Sequence, residues 1–261
     1  MNFSKKVIAL EPRLRPCRNV LTLGVRLNFS DYSPEEIALI QNADKIYYPS
    51  TFYADLFDSM GKKTFPSYHT YKYIQDKIKQ TALFSLLNIP HPRTRVFYGN
   101  PKKKTIPDHF KFPFIGKIAR GSCMGRGVYL ITNNQDLSAY LEMTTPAYIQ
   151  EYLQIDRDIR VVIIGNRVVH AYWRIASPGE FRCNVAVGAK ISFDSVPGQA
   201  LELALYTADK CRWDDAGIDI CMYKGEFYVL EANIKYGKRG FKAAGIDYFK
   251  LMETMIENEE I

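Results

Sequence analysis

The sequence predicts an α+β protein that carries a small α/β unit at its N-terminus. Three observations point there. Residues 1 to about 73 alternate short apolar strand patterns with short helical ones. From Phe112 onward the chain turns into a long series of strand patterns. It closes in a hairpin pattern, AGIDICMYKGEFYVLEAN, folded at Lys224-Gly225.

In the first unit, Val20 to Val25 reads as a strand. Ser33 opens a helix, with Pro34 at its first position and Glu35-Glu36 in its first turn. Lys45 to Tyr48 gives a second strand, Ala54 to Met60 a short helix ended by Gly61, and Lys63 to Phe65 another strand. That alternation predicts a small, mostly parallel sheet. A helix over Asp76 to Leu87 stops before Ile89-Pro90-His91-Pro92, because two prolines cannot continue it. The segments FPFIGKI, VYLI, AYIQEYL, DIRVVIIG and RVVHAYWRI then read as strands that lead to the closing hairpin. Helices interrupt them around Gln135 to Glu142 and Gly198 to Arg212, so the expectation is an antiparallel sheet with helices on one side.

The totals exclude some classes. The 261 residues are 47% hydrophobic and 24% charged, as in an ordinary soluble globular protein. No apolar run approaches the ~20 residues of a membrane span, and MNFSKKVIAL lacks the apolar core of a signal peptide. Cys17, Cys123, Cys183, Cys211 and Cys221 are scattered with no C-x-x-C, which argues for a reducing cytoplasm and against a disulfide framework or zinc site. A net charge of +7 favours anionic partners without naming them. The run Pro101 to Lys104, PKKK, reads as a solvated loop. His69, His91, His109 and His170 have no metal spacing, His170 reads as structural, and no RNA-binding motif is present.

The closing hairpin carries the most chemistry. Asp219 and Glu231 are twelve positions apart, so a three-residue loop (Lys224, Gly225, Glu226) sets them directly opposite each other, roughly 5 Å apart at Cβ. Asn233 shares their face because strand side chains alternate. Three hard oxygen donors converge, which suits Mg²⁺ held together with phosphates and water. A two-residue loop would turn Glu231 to the other face.

Further upstream, Lys117 ends a strand before the loop ARGSCMGRG. Gly121, Gly125 and Gly127 would let backbone N–H groups approach a phosphate. The loop is not a Walker A sequence, and a plain glycine-rich hairpin accounts for it as well. Lys77 opens the helix before the double-proline turn, where a solvated lysine is the simpler reading. Gln150 to Leu153 could offer backbone groups to an adenine edge, with Asp158 near a ribose; a connection between strands is the plainer account. Arg160, Arg174 and Arg182 recur on successive strand patterns and suggest a phosphate or carboxylate clamp, with solvent-facing arginines as the alternative.

Taken in order, these pieces resemble the ATP-grasp superfamily, and within it the branch similar to the ribosomal-protein glutamate ligases, over about Tyr73 to Ile256. Lys77 in DKIKQTALFSLLNIPHP matches the lysine that opens the helix before an Ile-Pro-x-Pro turn. Lys117 matches the second lysine before the glycine-rich loop, with Ser122 and Gly125 as loop contacts to ATP. Gln150, Glu151 and Tyr152 match the adenine hinge, with Leu153 as its N–H donor. Asp158 and Arg160 match an Asp-Ile-Arg strand, after a loop about two residues shorter. Phe181, Arg182 and Asn184 match a Phe-Arg-x-Asn element, and Asp219, Glu231 and Asn233 match the Gly-x-Asp and Glu-x-Asn pair. The family continues that pair as Ser-Pro-Gly, whereas this chain reads Ile234-Lys235-Tyr236-Gly237-Lys238-Arg239-Gly240. Its N-terminal unit is also short for the family.

The resemblance implies an ATP-grasp fold in three parts: a small N-terminal α/β domain over 1–73, a central lid-like α+β subdomain over 74–153, and a C-terminal antiparallel-sheet subdomain over 154–261. It implies ligation of a carboxylate to an amine through an acylphosphate, with ATP as cosubstrate and Mg²⁺, or Mn²⁺, on Asp219, Glu231 and Asn233. Arg182 would stabilise the transferring phosphoryl group, while Arg160 and Arg174 would orient the substrate carboxylate. Lys235, Lys238 and Arg239 would receive a polyanionic or carboxylate-rich acceptor; a basic solvated loop is the alternative. Expected partners are small-molecule or peptide substrates, with homo-oligomers left open and no membrane or nucleic acid. Rival readings are another ATP-grasp activity, such as phosphoryl transfer or tailoring of a peptide or cofactor precursor, and a nucleotide-responsive binding protein.

Overall fold

Three sheets organise the chain in the computed structural model, which describes residues 6–74, 76–120 and 127–261. The N-terminal unit runs β1 (Val7–Ala9), β2 (Val20–Thr22), α1 (Pro34–Asn42), β3 (Lys45–Tyr47), α2 (Thr51–Ser59) and β4 (Lys63–Phe65). Its sheet is parallel, in the order β2-β1-β3-β4. The central strand β1 escaped the sequence reading because it is three residues long and shows no alternation. The start of α1 is as its residues dictate: the Ser33 hydroxyl accepts from the Glu36 N–H, and the Glu36 carboxylate accepts from the Ser33 N–H.

Two helices follow, α3 (Tyr68–Ile74) and α4 (Lys77–Leu86). Asp76 caps α4 by accepting from the N–H groups of Ile78 and Lys79. The next segment contains β5 (Thr94–Phe97), α5 (Gly99–Lys103), α6 (Ile106–His109), β6 (Phe114–Lys117), β7 (Val128–Ile131), α7 (Asn134–Met143) and β8 (Ala147–Glu151). Its strands form an antiparallel sheet in the order β5-β8-β6-β7. Tyr140 of α7 lies against Gly116, where any Cβ would meet its ring at 2.9 Å, and its hydroxyl donates to the Lys117 carbonyl at 2.8 Å. The lysine run is not wholly a solvated loop: it belongs to α5, and buried Lys103 donates to the Thr144 carbonyl at 2.9 Å.

The third sheet is built from β9 (Arg157–Ile164), β10 (Arg167–Ile175), β11 (Lys190–Ser192), β12 (Asp215–Tyr223) and β13 (Glu226–Asn233), in the order β11-β10-β9-β12-β13, with α8 (Gly198–Cys211) between β11 and β12. Short α9 (Arg239–Ala243) and then α10 (Tyr248–Glu257) close the chain. The expected single antiparallel sheet is therefore two, because β9 pairs with β10 and β12 and not with β8. Helices also cover both of its faces. Ile159, Val161 and Ile163 of β9 and Ile218 and Ile220 of β12 pack against α8, Tyr71 of α3 and Phe84 of α4. On the opposite face, Val162 and Ile164 pack with α10 and with Ala9, Leu14 and Tyr47 of the N-terminal unit.

Period-2 alternation along β9 and β12 thus divides one sheet face into two halves. One half is apolar and joins the N-terminal unit; the other carries Asp158, Arg160 and Asp219, all buried. Gly217, between Asp215 and Asp219, has a steric reason to be glycine: a Cβ there would sit 2.4 Å from Tyr236 Cβ and 3.1 Å from Arg160 Cδ. Gly217→Ala should therefore overpack this junction and cost about 1–3 kcal/mol. Denaturant titration checks this, and an unchanged midpoint would show that the loop gives way.

Among the described residues no helix is long and apolar enough to cross a membrane, and the four described cysteines are buried and free.

Candidate active site

The closing hairpin reaches the expected register by an unexpected route. Its loop has two residues, since Tyr223 pairs with Glu226, and both Lys224 (φ 52°) and Gly225 (φ 86°) are left-handed, as a type I′ turn requires. A two-residue loop alone would set Leu230 opposite Asp219. A β-bulge at Leu230 shifts the ladder by one residue, so that Ile220 pairs with Val229 but Asp219 pairs with Glu231. The three-residue loop is thus corrected while the pairing it was invoked to explain is present. Leu230 and Glu231 both line a cleft, open to solvent, between the two antiparallel sheets.

Charge is arranged along that cleft in a definite order. Glu231 accepts an ion pair from Lys77 Nζ at 3.4 Å, and its Oε1 accepts from Asn233 Nδ2 at 2.9 Å. Burial acts to raise the Glu231 carboxyl, yet Lys77, Lys117 and the Asn233 amide together hold it down at about 2. Burial pushes the Lys117 ammonium down to about 8, against the pull of Glu231. Lys77 is positioned by the start of α4 and Lys117 by β6. Two elements distant in sequence thus bring both lysines to one carboxylate.

Beside them lies a buried network of alternating charge. Asp158 receives both Nε and Nη2 of Arg174 at 2.6 Å. Arg174 also pairs with Asp219 at 2.9 Å, and Asp219 is bound through Nε and Nη2 of Arg160. Arg160 additionally donates to the Tyr236 carbonyl at 3.1 Å. Asp158 lines the cleft while Arg174 donates to both of its oxygens. One sequence expectation is corrected here. Arg160 does not line the cleft; it braces Asp219 from behind. Arg174 does line the cleft, though its guanidinium is committed to two carboxylates.

Gln150, Glu151, Tyr152 and Leu153 come together on the cleft wall at the end of β8, as do Arg182 and Asn184. The Leu153 N–H has no partner among the described residues, so it can receive a ligand's acceptor atom. Arg182 is held by Glu180, with contacts at 2.9 Å and 2.7 Å, which keep the Glu180 carboxyl down at about 2. Ser122 and Gly125 lie outside the described residues. Lys235, Lys238 and Arg239 do not line the cleft. Lys238 instead sits over the rings of Tyr248 and Phe249, at 4.7 Å and 3.9 Å from their centroids.

Apolar members of the wall escaped the sequence reading: Pro92, Ile115, Val128, Ile155 and Leu230. Ile115 was findable, since it stands two residues before Lys117 on the same strand face. Together these side chains give the cleft an apolar wall beside the charged groups of Lys77, Lys117 and Glu231.

Comparison with solved structures agrees with the architecture. A RimK domain ATP-grasp protein from Sphaerobacter thermophilus superposes with a TM-score of 0.71 over 95% of this chain and 98% of that one, at 15% identity, a likeness of fold alone. The RimK-like ATP-grasp domain matches residues 74–256, and the chain belongs to that family. It is 29% identical over 192 residues to the coenzyme gamma-F420-2:alpha-L-glutamate ligase of Methanococcus maripaludis, covering 70% of this chain and 66% of that protein. It is also 29% identical over 191 residues to the ribosomal protein bS6–L-glutamate ligase of Escherichia coli, covering 70% and 63%. The chain thus spans slightly under two thirds of the length of these relatives.

Proposed function

We propose that the protein is an ATP-dependent carboxylate–amine ligase that forms an amide through an acylphosphate. The observation that carries this is Glu231 set between Lys77 and Lys117 on the wall of an apolar-sided cleft, with Asp219 opposite it across the hairpin. A carboxylate is a poor electrophile, and phosphorylation turns its oxygen into a leaving group. Transfer of a γ-phosphoryl group needs charge neutralisation and alignment more than covalent help from the protein.

The donor set fits Mg²⁺, or Mn²⁺, in the manner typical of phosphate-bound ions. Among the described residues no group of three or more His, Cys, Asp or Glu forms a full cage. Asp219, Glu231 and the Asn233 amide supply a few hard oxygens and leave the remaining positions to phosphate and water. When bound, the ion supplies compensation for phosphate charge. Lys77 and Lys117 hold the α- and β-phosphate end, the Leu153 N–H receives the adenine edge, and Arg182 meets the charge that develops on the transferring group. The bond from the γ-phosphorus to the bridging oxygen breaks as one forms to the substrate carboxylate oxygen. Attack of the amine on the acyl carbon then expels phosphate.

The test is ADP formation with a panel of carboxylates and amines, with product masses read by mass spectrometry. Formation of ADP only when both substrates are present, with a product of amide mass, is the expected result. ADP release at the same rate without any acceptor would overturn the proposal.

A further inference from the structure

Strand β13 is the last strand of the third sheet, so one of its edges has no neighbouring strand. Such an edge leaves backbone N–H and C=O groups that need partners where they are buried. Here α4 and the turn after it supply them. The Gln80 side chain donates from Nε2 to the Ala232 carbonyl at 2.9 Å, and its Oε1 accepts from the Ala232 N–H at 3.1 Å. Further back along the strand, the Val229 N–H donates to the Pro90 carbonyl at 2.8 Å. A glutamine amide carries a donor and an acceptor side by side. At Ala232 it therefore completes the ladder as a peptide unit of another strand would.

Ala232 stands between Glu231 and Asn233 and is buried in the same core as Phe84 of α4. Gln80 is itself only 2% exposed. Lys77, one turn earlier on the same helix, reaches the Glu231 carboxylate at 3.4 Å. One helix thus grips two consecutive residues of β13, the carboxylate of Glu231 and the backbone of Ala232. That helix is tied in turn to the second sheet. The Thr81 hydroxyl donates to the Lys77 carbonyl at 2.9 Å and lies 2.6 Å from the Tyr148 hydroxyl of β8, while Lys117 Nζ stands over the Tyr148 ring, 6.0 Å from its centroid. The spacing between both lysines and Glu231 therefore passes through α4. An apolar side chain in place of Gln80 would fill its space and leave both backbone groups of Ala232 buried without partners, which is costly.

We propose that Gln80 is a positioning residue of the active site. It fixes the backbone between Glu231 and Asn233, so that their oxygens are already in place when the divalent ion arrives. This rests on the ligase reading above. Gln80 does not line the cleft, and it acts through β13 alone. Groups that orient metal ligands from behind set the affinity for the ion as well as the ligands do.

The test is titration of Mn²⁺ into the full chain saturated with a non-hydrolysable ATP analogue, read by water-proton relaxation, for the wild type, Gln80→Met and Phe84→Leu. Gln80→Met should weaken Mn²⁺ binding about tenfold, as expected for loss of a group that orients metal ligands. Its affinity for the ATP analogue, measured in EDTA, should not change. Phe84→Leu, in the same helix and core, should lower Tm and leave Mn²⁺ binding as it was. Equal Mn²⁺ affinity in the wild type and Gln80→Met, or an equal loss in both variants, overturns the positioning role. If Gln80→Met does not fold, Gln80→Glu takes its place under the same criteria, since it keeps the acceptor and loses the donor. Exchange of the Ala232 N–H in the wild-type chain decides independently: slow exchange before nucleotide and metal are added is expected, and fast exchange overturns the proposal. A wild-type chain that binds neither the analogue nor Mn²⁺ would overturn the ligase reading and the positioning role with it. Undiminished Mn²⁺ binding by Gln80→Met would overturn the positioning role alone.

Discussion

Glu231→Gln should lower Mg²⁺-dependent ADP formation by about 10²–10³-fold, the usual effect of removing one preorganised electrostatic group from an active site. The substitution keeps the shape and the acceptor oxygen that the Asn233 amide bonds. What it removes is the charge that lies between Lys77 and Lys117. Loss of a metal-bridging oxygen and loss of compensation for two lysines act in the same direction on kcat. The fold should survive, because the Lys77–Glu231 pair keeps some exposure, 14% and 23% of the two side chains, and water can take over part of the compensation. A variant that retains more than half of the wild-type rate would show that this carboxylate is structural. The melting temperature should be measured alongside, so that loss of fold is not counted as loss of chemistry.

Arg174→Met should be the most destabilising single change in the third sheet. Arg174 is 3% exposed and neutralises Asp158 and Asp219 together. Removing one member of a buried ion network leaves charge uncompensated and costs about 3–5 kcal/mol. Burial already pushes the Asp158 carboxyl up, and Arg174 is the main influence that opposes it. Without Arg174 the folded state takes up a proton at Asp158 more readily than the unfolded chain does. A group whose folded pKa is raised contributes stability that is present at low pH and lost as pH rises through that pKa. The deficit should therefore shrink as pH falls from neutral toward the ordinary carboxylate range. Urea midpoints for both proteins across that range test it; a deficit that stays constant with pH would rule out the charge explanation.

The parts of the site that lie on single strands were legible in the sequence. Period-2 alternation placed Glu231 with Asn233, and antiparallel opposition placed Asp219 with Glu231. The strand end before a glycine-rich loop marked Lys117, and the helix start before two prolines marked Lys77. The partnerships of Arg160 and Arg174 were not legible, since they depend on β9 lying between β10 and β12. Sheet order is set by packing across the whole chain and leaves no local residue pattern. Lys238 escaped for a related reason: its aromatic partners come from α10, ten and eleven residues further on. The bulge at Leu230 was also invisible, because a bulged residue of this kind needs no special side chain.

That bulge separates the length of the hairpin from the register of its carboxylates. Leu230 is the residue the ladder leaves unpaired, so its removal would bring Glu231 straight opposite Asp219 beyond the same two-residue turn. A three-residue loop with a straight strand reaches the same pairing with the same number of residues. Length can therefore vary at the turn or at position 230, provided that the residues between them keep their pairing. Chains of differing hairpin length could then hold the three oxygen donors in one register, with the difference taken up by a single strand residue on the cleft wall.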